Sequence, residues 1–325
     1  MTHHTLFQPE ESASLHCLNN ASAEMFRKKS PNARTRDRSK DVQKIEQWKQ
    51  ILSKSPTGKF LLEFAEKAGV QIAAENKMEH LGYYSPQANA VVLNLSRPEG
   101  EIIGTLAHEL RHAWQYENSF WSSKEMSPRD NVLMLHAQEA DAEAVGVLVC
   151  WELKQAGYPA AFEAHKKSGY GDISTLFEQK ALAKPESVAD GSAMRDAYDQ
   201  WFHSQNRTVP YAVRTVEMIL GGILSFARQC KKGFTALTHD FLTGMGELPG
   251  GTNYQKNAPA RDLASKTYTS VLTPDLEEMM GIIDRGIGLE PPPANDNGKD
   301  PVASLPIKQM TLHLQQMAGP RPQIR

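Results

Sequence analysis

From Asp41 onward, apolar residues fall at three- and four-residue intervals: Val42, Ile45, Trp48 and the Ile51-Leu52 pair. That spacing lines one face of an α-helix. Pro56-Thr57-Gly58 interrupts the pattern, and Phe60, Leu61, Phe64 and Ala68 draw a second helical stripe that Gly69 closes. Val70-Gln71-Ile72 and residues 90–95 are short and rich in β-branched residues, and read as two strands separated by a polar stretch with Gly82 and Pro86. Helical periodicity dominates residues 96–157. Further helices are predicted over residues 194–204, 209–229 and 274–283, with a glycine-rich connection at Gly244, Gly246, Gly250 and Gly251. The fold class expected is therefore α+β, mainly helical, with a small sheet ahead of a helical body.

The ends differ from the middle. Residues 27–40 (RKKSPNARTRDRSK) carry seven basic residues against one acidic. With no interleaved aromatics and no amphipathic period, they read as a solvated arm, residues 1–40. Residues 41–285 form the expected domain, and residues 286–325, which include EPPPANDNGKDP, read as a disordered tail. The most apolar stretch, residues 218–227 (MILGGILSFA), is short of the roughly 20 residues that cross a bilayer and reads as a buried helix.

Composition narrows the class. The 325 residues include 36 Lys+Arg and 38 Asp+Glu, for a net charge of -2, and 40% are hydrophobic. That balance excludes disorder of the whole chain and does not indicate a nucleic-acid partner. Cys17, Cys150 and Cys230 are far apart, so neither a disulfide framework nor a thiolate metal site is expected. With no basic and apolar leader at the N-terminus, a cytoplasmic location is the expectation, and export by a non-Sec route is its alternative.

The chemistry concentrates in residues 104–115, GTLAHELRHAWQ. His108 and His112 stand four residues apart, one helical turn, so both imidazoles can reach one metal ion. Glu109 beside the first can then take a proton from water at the open position. Ile102, Ile103, Leu106, Leu110, Ala113 and Trp114 supply an apolar face, while Thr105, His108 and His112 share the other side. Ser96-Arg97-Pro98-Glu99 has the form of a capping box at the helix start.

Catalytic zinc usually keeps three protein ligands. Residues 131–154 form a strongly apolar helix in which His136, Glu139 and Glu143 make one polar stripe that Gly146 continues. Buried carboxylates need a partner or a metal. Glu139 is the expected third ligand and Glu143 an acceptor for a ligand imidazole N–H. Asp141, on the apolar side, suits orientation of a histidine better than coordination. His136, Asp141 and Glu143 remain alternatives for the third position. An oxyanion donor could come from His203, Tyr211 or Arg214, whereas His80, His165 and His239 look isolated and exposed. The strand at residues 90–95 is the expected edge against which an extended peptide pairs.

HELRH on a helix, followed by Glu139 in an E-A-D-A context, resembles the gluzincin branch of zinc metallopeptidases. HELRHAWQ and EADA together resemble, more closely, an uncharacterised bacterial family of metallopeptidase domains, over about residues 60–160. The resemblance implies a zincin-like domain with one Zn2+ on His108, His112 and Glu139 and Glu109 as general base. It departs from the gluzincin Glu-x-x-x-Asp pattern: Ala137 stands four before Asp141, and the pair at the right spacing is Glu139 and Glu143. The metzincin extension HExxHxxGxxH is absent.

The expected activity is hydrolysis of a peptide or protein substrate by zinc-activated water, with Glu109 passing the proton to the leaving amine. Two rival readings are a catalytically inactive binding module on the same fold and an accessory protein that contacts anionic partners through residues 27–40.

Overall fold

A computed structural model describes residues 39–76, 78–256, 265–289 and 307–317. Helices α1 (Ser39–Leu52) and α2 (Pro56–Lys67) lead into strands β1 (Gln71–Glu75), β2 (Gly82–Ser85) and β3 (Ala90–Asn94). Two long helices follow, α3 (Glu99–Glu117) and α4 (Pro128–Gln155), then α5 (Ala160–Lys166), α6 (Gly171–Ala183), α7 (Glu186–Ala189) and α8 (Ser192–Trp201). Completing the body are α9 (Gln205–Gly221), α10 (Ile223–Cys230), α11 (His239–Met245), α12 (Lys266–Thr269), α13 (Pro274–Gly286) and α14 (Ile307–Met317). It is a mainly helical fold with one small sheet.

The strand order is β1-β3-β2, with β1 parallel and β2 antiparallel to β3. β3 is an unbroken apolar run, Ala-Val-Val-Leu, and every residue of it is buried, as expected of a central strand covered on both faces. This corrects the expectation that residues 90–95 form the substrate edge. The edge nearest α3 is β2, which sequence patterning passed over because Gly-Tyr-Tyr-Ser shows little alternation. Gly82 sets how closely β2 lies on α3: a Cβ there would fall 2.8 Å from Thr105 Cγ2 and 3.0 Å from the Val92 carbonyl.

α4 begins at Ser127, whose side chain accepts from the Asp130 N–H, and Pro128 occupies the first turn. Its 28 residues make a rod about 42 Å long. Apolar almost all round, α4 is buried along most of its length and runs through the centre of the helical body. α3 starts differently from the expected capping box. Pro98 is its N-cap without a side-chain bond, and Ser96 Oγ instead donates to Asn94 Oδ1 at 2.6 Å.

Two further expectations need correction. The single helix over residues 209–229 is two helices, α9 and α10, bent by 75° where Gly221-Gly222 breaks the ladder. Within the expected tail, Ile307–Met317 is helical and buries Met310 and Leu314. Among the described residues no single helix is long and apolar enough to cross a membrane. Of the basic stretch only Ser39 and Lys40 are described, as the start of α1. The rest of the expected arm lies outside the described residues.

Candidate metal centre

His108, Glu109 and His112 project from the middle of α3, where the helix is buried on all sides, and Glu139 faces them from α4. His108 Nε2 lies 3.0 Å from His112 Nε2 and 3.5 Å from Glu139 Oε2, and His112 Nε2 lies 3.6 Å from Glu139 Oε1. Among the described residues these three form a group that could hold a metal ion.

The surrounding hydrogen bonds dictate which ring nitrogens carry protons. His112 Nδ1 is 2.8 Å from Gln115 Oε1. The Gln115 amide is oriented by donating Nε2–H to the Gln138 carbonyl at 2.9 Å and to Asp141 Oδ2 at 2.7 Å, so its oxygen can only accept. His112 Nδ1 must therefore donate. His108 Nδ1 faces the Glu143 carboxylate, 3.2 Å from Oε2, and that charge favours a hydrogen on Nδ1. The two Nε2 atoms then meet at 3.0 Å, an arrangement that needs either a proton on one of them or a metal ion held by both.

Charge agrees with geometry. Burial alone would lower the His108 pKa, but the Glu139 and Glu143 carboxylates outweigh it and push His108 up to about 10. His112 is raised too: burial opposes this, and Glu139 overcomes it. Burial would raise Glu139, yet the two imidazoles hold it far below the usual carboxylate range. A site that clings to protons on its histidines while keeping its carboxylate ionised is one that seeks positive charge, and the residues present fit a divalent metal.

Glu109 stands apart from that trio electrostatically. Burial raises its pKa, with the two histidines opposing and the main-chain N–H of Tyr84 in β2 bonded to it. Around the site run aromatic rings: Trp121 packs edge-on to His112 at 6.2 Å and to Tyr116 at 5.5 Å, and Tyr116 lies 6.1 Å from Tyr84.

The other acidic candidates are engaged elsewhere. Asp141 Oδ2 accepts from Arg111 Nε at 2.7 Å, and Oδ1 accepts from Arg111 Nη2 at 3.1 Å and from the Tyr254 hydroxyl at 2.7 Å. Its link to His112 is indirect, through Gln115. His136 accepts from Trp201 Nε1 at 3.3 Å, and burial pushes its pKa down to about 3. Of the possible oxyanion donors, His203 and Arg214 are exposed, while Tyr211 is buried and feels the Glu139 charge.

His165 corrects an expectation: it is 3% exposed, with Nε2 2.6 Å from Glu143 Oε1 and Nδ1 3.0 Å from Ser174 Oγ. His80 and His239 are half-buried. Sequence reasoning also passed over Arg111 and Gln115. Gln115 was open to detection, since it stands one turn after His112 on the same helix.

No curated protein and no solved structure matches the chain. Residues 20–256 match the sequence pattern of a family described as the putative metallopeptidase family (DUF6782), which covers both long helices and every residue of the His108–His112–Glu139 cluster. With most of its length matched, the chain belongs to this metallopeptidase family.

Proposed function

We propose that this protein is a zinc-dependent peptidase in which His108, His112 and Glu139 hold the metal and Glu109 is the general base. The observation that carries the proposal is the set of ligand-atom separations, 3.0, 3.5 and 3.6 Å. Zinc–nitrogen and zinc–oxygen bonds of about 2.0–2.1 Å imply tetrahedral edges of about 3.3 Å, inside that range. When bound, zinc supplies Lewis acidity, which makes water more acidic and a peptide carbonyl more electrophilic.

The chain's own groups do the rest. Glu109 accepts the water proton and returns it to the leaving amine, and burial, which raises its pKa, favours its holding that proton in between. The Tyr84 N–H steadies its ionised form.

Asn94 N donates to the Leu81 carbonyl at 2.9 Å. Antiparallel alternation then turns the main-chain groups of Gly82 and Tyr84 to the outer edge of β2. An extended peptide pairing along that edge lies beside Glu109 and the rings of Tyr84, Tyr116 and Trp121.

The test is elemental analysis of protein purified without added zinc, coupled to hydrolysis of a peptide library. About one zinc per chain, with turnover lost in Glu109→Gln and metal retained, supports the proposal. Metal without turnover on any peptide favours the inactive binding module instead, and no metal after zinc addition and dialysis overturns the peptidase reading.

A further inference from the structure

Glu143 is buried on α4 and bridges two imidazoles from different parts of the chain: Oε2 faces His108 Nδ1 at 3.2 Å and Oε1 faces His165 Nε2 at 2.6 Å. An ionised carboxylate only accepts, so His165 Nε2 bears a hydrogen and its bond is charge-assisted, while Oε2, at ion-pair distance, favours the hydrogen of His108 on Nδ1. His165 is in turn set by Ser174 Oγ, 3.0 Å from its Nδ1. The line His108–Glu143–His165–Ser174 thus runs from the metal centre through α4 and α5 into α6. All four side chains are nearly sealed from water, with exposures of 2%, 1%, 3% and 0%.

We infer that His165 is a positioning residue for the metal centre: by holding Glu143 in its bridging rotamer it fixes the Nδ1–H tautomer of His108 and so sets metal affinity. The inference rests on the proposed zinc site.

The physical reason is competition for one carboxylate. With His165 in place, one oxygen of Glu143 is tied at 2.6 Å and the other is left to His108. Without it, a carboxylate that is 1% exposed loses a strong donor and the hold that keeps Oε2 aimed at His108, which weakens the acceptor behind that ring. A helical carboxylate behind a ligand histidine can usually borrow a second donor from solvent. Here α5 excludes solvent, because it is set close against α3: a Cβ on Gly100 would fall 2.6 Å from the Ala160 carbonyl oxygen. His165 sits on that close-set helix and takes the place of the water.

The experiment measures zinc affinity of the full chain by chelator competition for wild type, His165→Ala, His165→Gln, Glu143→Gln and the double variant His165→Ala/Glu143→Gln. His165→Ala is expected to weaken zinc binding by about 10- to 100-fold. His165→Gln, whose amide can still donate to Glu143, should recover to within a few-fold of wild type, which a loss of mere packing would not do. In the Glu143→Gln background, His165→Ala should add little, because its effect passes through that carboxylate.

Unfolding of the metal-free variants separates affinity from stability. If His165→Ala does not fold, Ser174→Ala replaces it, with a smaller loss of affinity expected. Wild-type affinity in His165→Ala, or in Ser174→Ala where that stands in, overturns the inference, as does an undiminished loss in the Glu143→Gln background. Failure of wild type to take up zinc at all would instead remove the peptidase reading on which the inference stands.

Discussion

Substituting Asp141 by Asn replaces one carboxylate oxygen by NH2 and barely changes volume, yet should cost as much stability as a large core truncation. Asp141 is fully buried and its two oxygens receive four hydrogen bonds, two from Arg111 and one each from Gln115 and Tyr254. The amide offers one acceptor and one donor, so its NH2 must face groups that also donate. More costly is the Arg111 guanidinium, 0% exposed, which loses its carboxylate partner and keeps the Met245 and Glu247 carbonyls and the Trp114 ring 3.9 Å away. Breaking a buried ion pair from one side costs about 3–5 kcal/mol. At a few degrees per kcal/mol, that lowers Tm by roughly 10 °C.

Urea unfolding of the metal-free protein gives the number directly. Arg111→Met added to Asp141→Asn should recover a large part of the loss, since no buried charge is then stranded. Zinc affinity should also fall in Asp141→Asn, through Gln115 and His112. An Asp141→Asn protein within about 1 kcal/mol of wild type would refute the reasoning that this pair is desolvated and mutually dependent.

Further outcomes follow from the site and its neighbours. Glu109→Gln should lower kcat/KM on any peptide substrate by about 10²- to 10⁴-fold with metal content unchanged, measured on matched preparations. Because His108 is pushed up to about 10, metal uptake at neutral pH must displace a proton from it. Apparent affinity should then fall by about tenfold for each unit the pH is lowered below that value, a slope read by chelator competition across pH. His136 has its pKa lowered from 6.5 to about 3, so the unfolded chain binds one more proton between those values. Its contribution to stability is complete above 6.5 and is lost as pH falls through that window, by about 1.4 kcal/mol per unit, and His136→Gln should flatten this slope in urea titrations. Gly82→Ala forces a methyl to within 2.8 Å of Thr105 Cγ2, and should cost about 1–3 kcal/mol in thermal unfolding while moving β2 off α3.

How much of this could be read from the chain depends on how far apart the partners lie. His108, Glu109 and His112 share one helical turn, and His136, Glu139 and Glu143 one face of another, so local periodicity alone draws both rows. β2 could not be read that way: its four residues are a strand only because β3 offers a partner and Gly82 lets α3 come close. The Asp141–Tyr254 bond joins residues 113 apart, and Glu143–His165 joins residues 22 apart on separate helices, so both exist only after α4 is packed. The bend at Gly221-Gly222 was announced by the glycine pair itself. In Ile307–Met317 the stripe Ile307, Met310, Leu314 and Met317 was equally plain, but the proline-rich stretch before it masked the pattern.

α4 carries three acidic residues within five positions, all buried, and an unpartnered carboxylate in that setting costs several kcal/mol. Each must therefore answer to a different positive or donating group. Asp141 answers to the Arg111 guanidinium of α3, and Glu143 to His165 of α5 together with His108 Nδ1. Glu139 faces the Nε2 atoms of His108 and His112, which carry a full positive charge only when protonated. Once the other two acids favour both imidazoles with Nδ1–H pointing away, the Nε2 atoms face Glu139, and the positive charge it needs is a proton on those rings or a metal ion that displaces it. On the proposed zinc site two of the acids orient the histidines, and the third shares the metal with them. Substitution of any of the three should then lower metal affinity although only Glu139 touches the ion, and only affinity measured alongside metal-free stability tells a lost ligand from a lost orientation.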